Sequence, residues 1–129
     1  DNFKIINDQY GHVAGDAVLK EVSRLLLLLL QHERAHLFRW GGEEFMILLY
    51  DFPDEAYLAE LCKVIIENTR SSIEHASQQV NFSVSMGVAK YSRFNNENYN
   101  KIIDYADQML YLAKHQGKCR YVMQEQPVA

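Results

Sequence analysis

Two adjacent carboxylates, Glu43 and Glu44, follow a glycine pair at Gly41 and Gly42. A short strand is predicted at 36–40 and a second, nearly all-apolar strand at 45–50, so the pattern predicts a β-hairpin whose turn carries both acids. Neighbouring carboxylates repel each other, and a divalent cation would relieve that cost. Hard oxygen ligands suit Mg²⁺ bound together with the phosphates of a nucleotide. A solvated hairpin tip, where glutamate is common, is the alternative that the turn alone favours.

The N-terminal segment mixes a cation, amides, an imidazole and carboxylates around Gly11 and Gly15. Asn7 and Asp16 could together recognise a guanine edge, because an amide offers a donor and an acceptor while a carboxylate accepts from N1–H and the 2-amino group. A polar loop followed by a helix cap at Asp16 is the alternative. Neither the turn nor this segment identifies a function by itself.

The elements that must position these residues follow from hydrophobic spacing. The glycines at 11 and 15 indicate a loop, and apolar residues then recur at helical intervals from Asp16 to about Gln31. Later segments predict a helix opening at Pro53 and Asp54, a strand over 80–88, a helix around 103–113 and a short strand over 120–123. This order predicts an α+β sandwich of the α/β class with a mainly antiparallel sheet, provided that another strand lies ahead of Asp1.

Size and composition predict one domain over 1–124 and a disordered tail over 125–129, within a chain of 129 residues. The net charge of −4 argues against broad nucleic-acid binding. Two cysteines without metal-like spacing suit a reducing cytoplasm. The longest apolar run, Leu25–Leu30, is too short to cross a bilayer, so we expect no direct membrane insertion. The chain begins at Asp1 without a methionine, which is typical of a fragment of a longer protein.

Four segments resemble the motifs of the GGDEF family of diguanylate cyclases. Residues 1–16, DNFKIINDQYGHVAGD, are similar to the pattern DxFKxxNDxxGHxxGD, and residues 39–45, RWGGEEF, resemble the family signature in its GGEEF form. Residues 82–89, FSVSMGVA, and 106–118, ADQMLYLAKHQGK, resemble two further motifs, SxGVA and ADxALYxAKxxGR/K. The resemblance implies a nucleotidyl-cyclase-like, ferredoxin-like βααββαβ core whose first strand is missing or truncated.

The resemblance also implies a role for each matching residue. Glu43 corresponds to a ligand of Mg²⁺ (or Mn²⁺) that is also assigned as the catalytic base, and Glu44 supports the same metal–phosphate site. Lys4 corresponds to a lysine that stabilises the transition state. The implied substrate contacts are guanine recognition by Asn7 and Asp16, triphosphate binding by Lys114 and Lys118, and further contacts from Phe3, His12, Gly41 and Gly42.

The reaction implied by the resemblance joins two GTP molecules into cyclic di-GMP and releases two pyrophosphates, in bacterial signalling. Each domain of the family holds one GTP, so the implied partner is a second GGDEF protomer. A sensory or receiver domain is expected upstream, with the domain in the cytoplasm or on the cytoplasmic side of a membrane-anchored protein. An inactive domain that binds GTP or mediates dimerisation is the alternative. A related cyclase that makes cyclic AMP or GMP fits the signature less well.

The sequence departs from the family pattern in two ways. Asp1 matches the second aspartate of Asp-x-Asp-x-Phe-Lys, so the first, a metal ligand, falls before residue 1, and we expect the isolated fragment to be inactive. Many members also carry Arg-x-x-Asp ahead of the signature, where the cyclic product binds and inhibits. His32 and Ala35 replace that arginine and aspartate, so we predict that the inhibitory site is absent.

Overall fold

The computed structural model describes residues 1–91 and 98–125, so the predicted tail lies outside the described residues except for its first position. The described residues divide into an N-terminal unit, Asn2–Phe82, and a C-terminal unit that consists of Asp1 and the described residues from Ser83 onward. The elements are α1 (Phe3–Tyr10), α2 (His12–Leu29), β1 (Ala35–Arg39), β2 (Phe45–Leu49), α3 (Glu55–Thr69), β3 (Ser71–His75), β4 (Gln78–Phe82), β5 (Met86–Val88), α4 (Tyr99–His115) and β6 (Tyr121–Met123).

The N-terminal segment is helical, so the loop predicted around Gly11 and Gly15 is wrong. In α1, Phe3, Ile6 and Tyr10 recur at intervals of three and four, and Ile6 is buried. Gly11 ends this helix with a φ of 93°, a left-handed conformation that glycine adopts without a steric penalty, and its N–H donates to the Asn7 carbonyl at 2.9 Å. One glycine therefore separates two consecutive helices.

Helix α2 begins at His12, ahead of the start predicted at Asp16. Gly11 occupies the N-cap position, which places Asp16 inside the helix, so the predicted cap at Asp16 is wrong. The buried face of α2 packs against α3 and the β3–β4 hairpin and forms the core of the N-terminal unit. Its buried residues recur at helical spacing: Ala14, Gly15, Val18, Leu19, Val22 and Leu26.

The predicted hairpin around the two glutamates is confirmed. Strands β1 and β2 are antiparallel, and Arg39 lies opposite Phe45 at the end of the ladder, which leaves residues 40–44 as the connecting loop. The helix predicted to open at Pro53 and Asp54 begins at Glu55, and the Asp54 carboxylate accepts from the Tyr57 N–H at 2.8 Å. Burial on α3 raises the pKa of the Cys62 thiol to about 11.

The single strand predicted over 80–88 is two strands. Residues up to Phe82 belong to β4, which pairs with β3 in an antiparallel hairpin, whereas Met86–Val88 forms β5 and pairs in parallel with β6. The interruption at 83–85 occurs where the hydroxyls of Ser83 and Ser85 donate to the Asp1 carboxylate. One alternating run therefore serves two sheets, and β3 is a strand that hydrophobic spacing did not predict.

The C-terminal unit packs α4 against β5 and β6. Gly87 permits this packing, because a β-carbon there would overlap the main chain of Ala106 and Leu110 on the helix. Within the described residues the strands form three two-stranded sheets, two antiparallel and one parallel. The α/β class is confirmed, and the strands are divided among small sheets because β4 and β5 pair with different neighbours.

Candidate active site

The loop at 40–44 presents both glutamates to solvent. Its ends are joined by the Glu44 carbonyl, which accepts from the N–H groups of Trp40 at 2.9 Å and Gly41 at 3.3 Å. Glu43 and Glu44 are both exposed, and a β-carbon on Gly42 would meet open space. The acids therefore lie on a closed loop beside main chain that a ligand can approach.

Arg39, at the end of β1, binds the glycine part of this loop through its guanidinium group. Its Nε donates to the Gly41 carbonyl at 3.2 Å, its Nη2 donates to the Gly42 carbonyl, and its guanidinium lies 5.8 Å from the centre of the Phe45 ring. Both carbonyls are thereby turned toward the arginine. Among the described residues, the N–H groups of Gly42 and Glu43 have no hydrogen-bond acceptor, and such amides on a turn suit an anionic ligand.

The donor set of this loop fits a magnesium ion shared with a substrate, but not a closed protein cage. No group of three or more His, Cys, Asp or Glu side chains in the described ranges could hold a metal ion. Mg²⁺ keeps several waters and is held by one or two carboxylates plus substrate phosphates. An exposed carboxylate such as Glu43, with Glu44 beside it, meets that requirement.

Asn7 and Phe3 of α1 pack together over Gly15 of α2. A β-carbon at Gly15 would overlap the Asn7 side-chain oxygen and lie 3.2 Å from Phe3 Cε2. Asn7 Oδ1 is buried and has no hydrogen-bond partner within the described residues, which costs about 1–3 kcal/mol for such a group. The glycine thus makes room for an amide whose hydrogen-bonding capacity is not used internally.

The other predicted site residues on α1 and α2 are exposed to solvent. His12 and Asp16 lie one helical turn apart on α2, and both are exposed. Lys4 is exposed on α1, one turn before Asn7. The helix pair therefore carries a cation, an imidazole and a carboxylate at exposed positions, in addition to the Asn7–Gly15 packing. Groups of these kinds can bind a nucleotide base and phosphate.

The predicted basic residues belong to the C-terminal unit. Lys114 is exposed in the last turn of α4, where a cation also favours the helix dipole. Lys118 lies in the turn that follows, and its N–H donates to the Ala113 carbonyl at 3.0 Å. Gly117, Lys118 and Cys119 all have positive φ angles, of 118°, 65° and 51°. Sequence reasoning identified the lysines but not this unusual backbone.

Three residues to which motif spacing assigned no role make contacts beside candidate residues of their own unit. Arg39 is identifiable only as the residue before the hairpin loop, Gly15 only as a motif glycine, and Asp1 only as the match to a second aspartate. Their contacts with loop carbonyls, a side-chain amide and a distant turn require the fold. The sequence features that could have indicated these contacts are, for Arg39, a cation close to the glycine pair and, for Gly15, a glycine among the apolar positions of a helix.

Arg34 lies between His32 and Ala35 in the sequence, the residues that replace the inhibitory motif, and it contacts Asp51 and Tyr50. Its Nη1 lies 2.5 Å from Asp51 Oδ2, and its guanidinium lies 5.6 Å from the centre of the Tyr50 ring. His32 is exposed in the turn after α2, and Ala35 is the half-buried first residue of β1. The surface therefore carries an arginine, but at a different position and with partners of its own.

Residues 1–120 match the family model described as "Diguanylate cyclase, GGDEF domain". The chain belongs to the GGDEF domain family. The match covers nearly all of the described residues, including the helix pair, the glutamate loop and the turn that carries Lys118.

Relatives and solved structures agree with this assignment. The domain is 35% identical over 124 residues to an uncharacterized membrane protein of Staphylococcus saprophyticus and 35% identical over 128 residues to diguanylate cyclase A of Treponema denticola. These alignments cover 92% and 95% of the chain but 33% of each relative, so the chain spans a third of their length. No helix among the described residues is long and apolar enough to cross a membrane.

The fold also matches a solved domain that carries the same signature variant. The active GGEEF domain of a diguanylate cyclase from Vibrio cholerae superposes with a TM-score of 0.78 at 29% identity. The match covers 98% of this chain and 78% of that one. The small sheets and helices described above are therefore those of a GGDEF domain.

Proposed function

We propose that this domain condenses two GTP molecules into cyclic di-GMP and two pyrophosphates. The observation that carries the proposal is the loop at 40–44, whose two glutamates are exposed on main chain held by Arg39. The intact signature favours turnover over the inactive alternative, because degenerate domains usually lose part of the set formed by Gly41–Phe45, Asn7 and Asp16. The name diguanylate cyclase A of the Treponema relative supports the same activity.

The chemistry is a nucleotidyl transfer performed twice. The 3′-oxygen of one GTP forms a bond to the α-phosphorus of the other, the bond from that phosphorus to the pyrophosphate oxygen breaks, and the hydroxyl proton passes to Glu43. Glu43 would hold Mg²⁺ with support from Glu44, and the ion, when bound, neutralises phosphate charge and favours the alkoxide. Lys4 stabilises the charge that develops on the transferring phosphate.

Binding and orientation are the work of the remaining residues. Asn7 and Asp16 recognise the donors of guanine, with Phe3 and His12 completing the substrate contacts, and Gly41 and Gly42 let the phosphates approach the loop. Lys114 and Lys118 bind the triphosphate, which provides local positive charge on an acidic protein. Because each domain supplies one GTP, a second copy of the domain is the required partner.

The setting proposed for the domain is the cytoplasm, where GTP is available. The Staphylococcus relative is named as a membrane protein, which supports attachment to a membrane-anchored segment in the complete protein. The proposal also includes an upstream sensory or receiver domain. Binding of nucleic acid is not part of the proposal, since the net charge is −4.

The proposal is tested with Glu43→Ala in the complete protein that contains this chain, beside Glu67→Ala on the exposed side of α3 as a matched control. We expect product formation from GTP and Mg²⁺, measured by chromatography, to be abolished only by Glu43→Ala, while circular dichroism stays unchanged for both. Retained turnover in the Glu43 variant would refute the role of this carboxylate. GTP binding without product in the unmodified protein would favour the inactive alternative.

Nucleotide selectivity is the second part of the test. Calorimetric titration with GTP and ATP, each with Mg²⁺, should give the tighter binding for GTP. Adenine lacks the 2-amino group, and each polar mismatch costs about 1–3 kcal/mol. Equal affinity for the two nucleotides would contradict the roles of Asn7 and Asp16.

A further inference from the structure

The Asp1 carboxylate joins two parts of the C-terminal unit. Its two oxygens accept from Ser83 Oγ at 2.8 Å and Ser85 Oγ at 2.7 Å, and Oδ2 also accepts from the Cys119 N–H at 3.1 Å. Ser85 Oγ accepts from the same N–H at 3.1 Å. One partly buried carboxylate thus connects the segment before β5 to the turn between α4 and β6.

The turn that contacts this carboxylate has a backbone conformation that residues other than glycine rarely adopt. Lys118 and Cys119 are consecutive non-glycine residues in the left-handed region, with φ angles of 65° and 51°, and they follow Gly117 at 118°. Such residues persist only where their surroundings hold them, and strained backbone of this kind clusters at functional sites. Within the turn, Arg120 Nε also donates to the Lys118 carbonyl at 3.1 Å.

We propose that Asp1 is a positioning residue that fixes the turn carrying Lys118, so that this lysine is held in place for the triphosphate of GTP. The inference rests on the proposed function, because it takes Lys118 to be a phosphate contact. Asp1 accepts a hydrogen bond from the N–H of Cys119, the residue that follows Lys118, and that bond fixes the peptide plane between Lys118 and Cys119. The geometry of the lysine backbone is therefore determined by a residue at the other end of the sequence.

The chemistry of the contact requires a carboxylate. Two hydroxyls and an N–H all point donors at Asp1, and an ionised carboxylate offers acceptors only. An asparagine has the same shape, but its NH₂ group would direct donors at one of these groups. Asp1→Asn should therefore release the turn while it preserves the volume of the side chain.

The test is a double-mutant cycle on GTP affinity in the complete protein. Calorimetry with GTP and Mg²⁺ compares the unmodified protein, Asp1→Asn, Lys118→Ala and the double variant. We expect Asp1→Asn to weaken GTP binding about tenfold and to have little further effect once Lys118 is alanine, because the loss acts through that lysine. Asp104→Asn, which changes an exposed carboxylate on α4, is the matched control and should leave affinity unchanged.

Equal losses from Asp1→Asn in both backgrounds, or no loss at all, would overturn the proposal. Ser85→Thr keeps the hydroxyl and should bind GTP normally, whereas Ser85→Ala should weaken binding in the same direction as Asp1→Asn. Hydrogen exchange at the Cys119 amide gives a readout without nucleotide: protection should fall in Asp1→Asn, and unchanged protection would also overturn the proposal. Because the cycle measures binding, an unmodified protein that binds GTP without turnover would refute the proposed function and leave this inference standing.

Discussion

The side-chain oxygen of Asn7 lies against Gly15, so closely that a β-carbon at residue 15 would occupy the same space. The relationship connects two consecutive helices, since Asn7 belongs to α1 and Gly15 to the buried face of α2. The position of the Asn7 amide, which is proposed to recognise guanine, thus depends on the absence of a side chain at residue 15 on the neighbouring helix.

Gly15→Ala should weaken GTP binding while the domain stays folded. The atoms that a new methyl group would meet, Asn7 Oδ1, Asn7 Cγ and Phe3 Cε2, all belong to side chains, so Asn7 can swing aside. Alanine is also favoured over glycine within a helix by about 1 kcal/mol. We expect an unchanged or higher melting temperature together with a roughly tenfold loss of GTP affinity, as for the loss of about one polar contact. Thermal unfolding and calorimetric titration check the two effects separately. Normal affinity would mean that Asn7 is not a substrate contact in this position.

Gly87→Ala should have the opposite profile and destabilise the domain. The atoms that its methyl group would meet belong to the main chain of α4 at Ala106 and Leu110, which cannot rotate away as a side chain can. Helix and strand must separate, at a cost of about 1–3 kcal/mol for overpacking of this kind. Gly42→Ala is the control, because its β-carbon would meet open space. Denaturant unfolding of both variants measures the difference, and equal midpoints would refute the close approach of β5 and α4.

Hydrophobic spacing predicted the two helices with several buried positions, α2 and α3, and the glycine pair predicted the hairpin, whose strands have no buried residue. The core of α2, the capped start of α3 and the hairpin around Glu43 all follow from local patterns. Helix α1 escaped prediction because it is short and polar and has one buried residue, Ile6. A helix of eight residues is stabilised mainly by packing. Hydrophobic spacing does not show that α1 packs against α2.

The break at 83–85 could not be predicted for a related reason. Alternation from Val80 to Val88 is uninterrupted in the sequence, and the interruption depends on Asp1, which is distant along the chain. The motif residues of the candidate site were identifiable from the family patterns. Their supporting contacts, Arg39 with the loop carbonyls and Asp1 with the turn at Cys119, are long-range or geometric, and no local pattern encodes them.

Arg39→Lys should reduce turnover although the charge is retained. A guanidinium reaches both the Gly41 and Gly42 carbonyls from one rigid plane, whereas an ammonium is a point donor on a flexible chain. The loop that carries Glu43 would then lose its fixed position, and a small displacement of a reacting group can lower a rate by tenfold or more. Arg24→Lys on α2, where the arginine pairs with Glu21 at the surface, is the matched control. The product formation rate at saturating GTP is the measurement, and equal rates in the two variants would contradict a role for the arginine in holding the loop.

The last prediction is that cyclic di-GMP does not inhibit this domain through the surface at residues 32–35. The family site needs an arginine and an aspartate, whereas His32 supplies at most a weak donor and Ala35 has no polar side-chain group. Loss of a charged hydrogen-bonding partner costs about 2 kcal/mol, roughly thirtyfold in affinity, and both partners are replaced.

Arg34 is the residue that could restore this binding, and its surroundings oppose that role. Its ion pair with Asp51 is exposed on both sides and is worth at most about 1 kcal/mol, so the pair alone would not prevent Arg34 from moving to a phosphate. Movement would also forfeit the cation–π contact with Tyr50, and no aspartate stands at position 35 to accept from guanine. Initial rates of the complete protein with increasing cyclic di-GMP should therefore lack a non-competitive component, which should appear when His32→Arg and Ala35→Asp are installed together. Non-competitive inhibition of the unmodified protein that disappears in Arg34→Ala would contradict this prediction and assign the arginine a regulatory role.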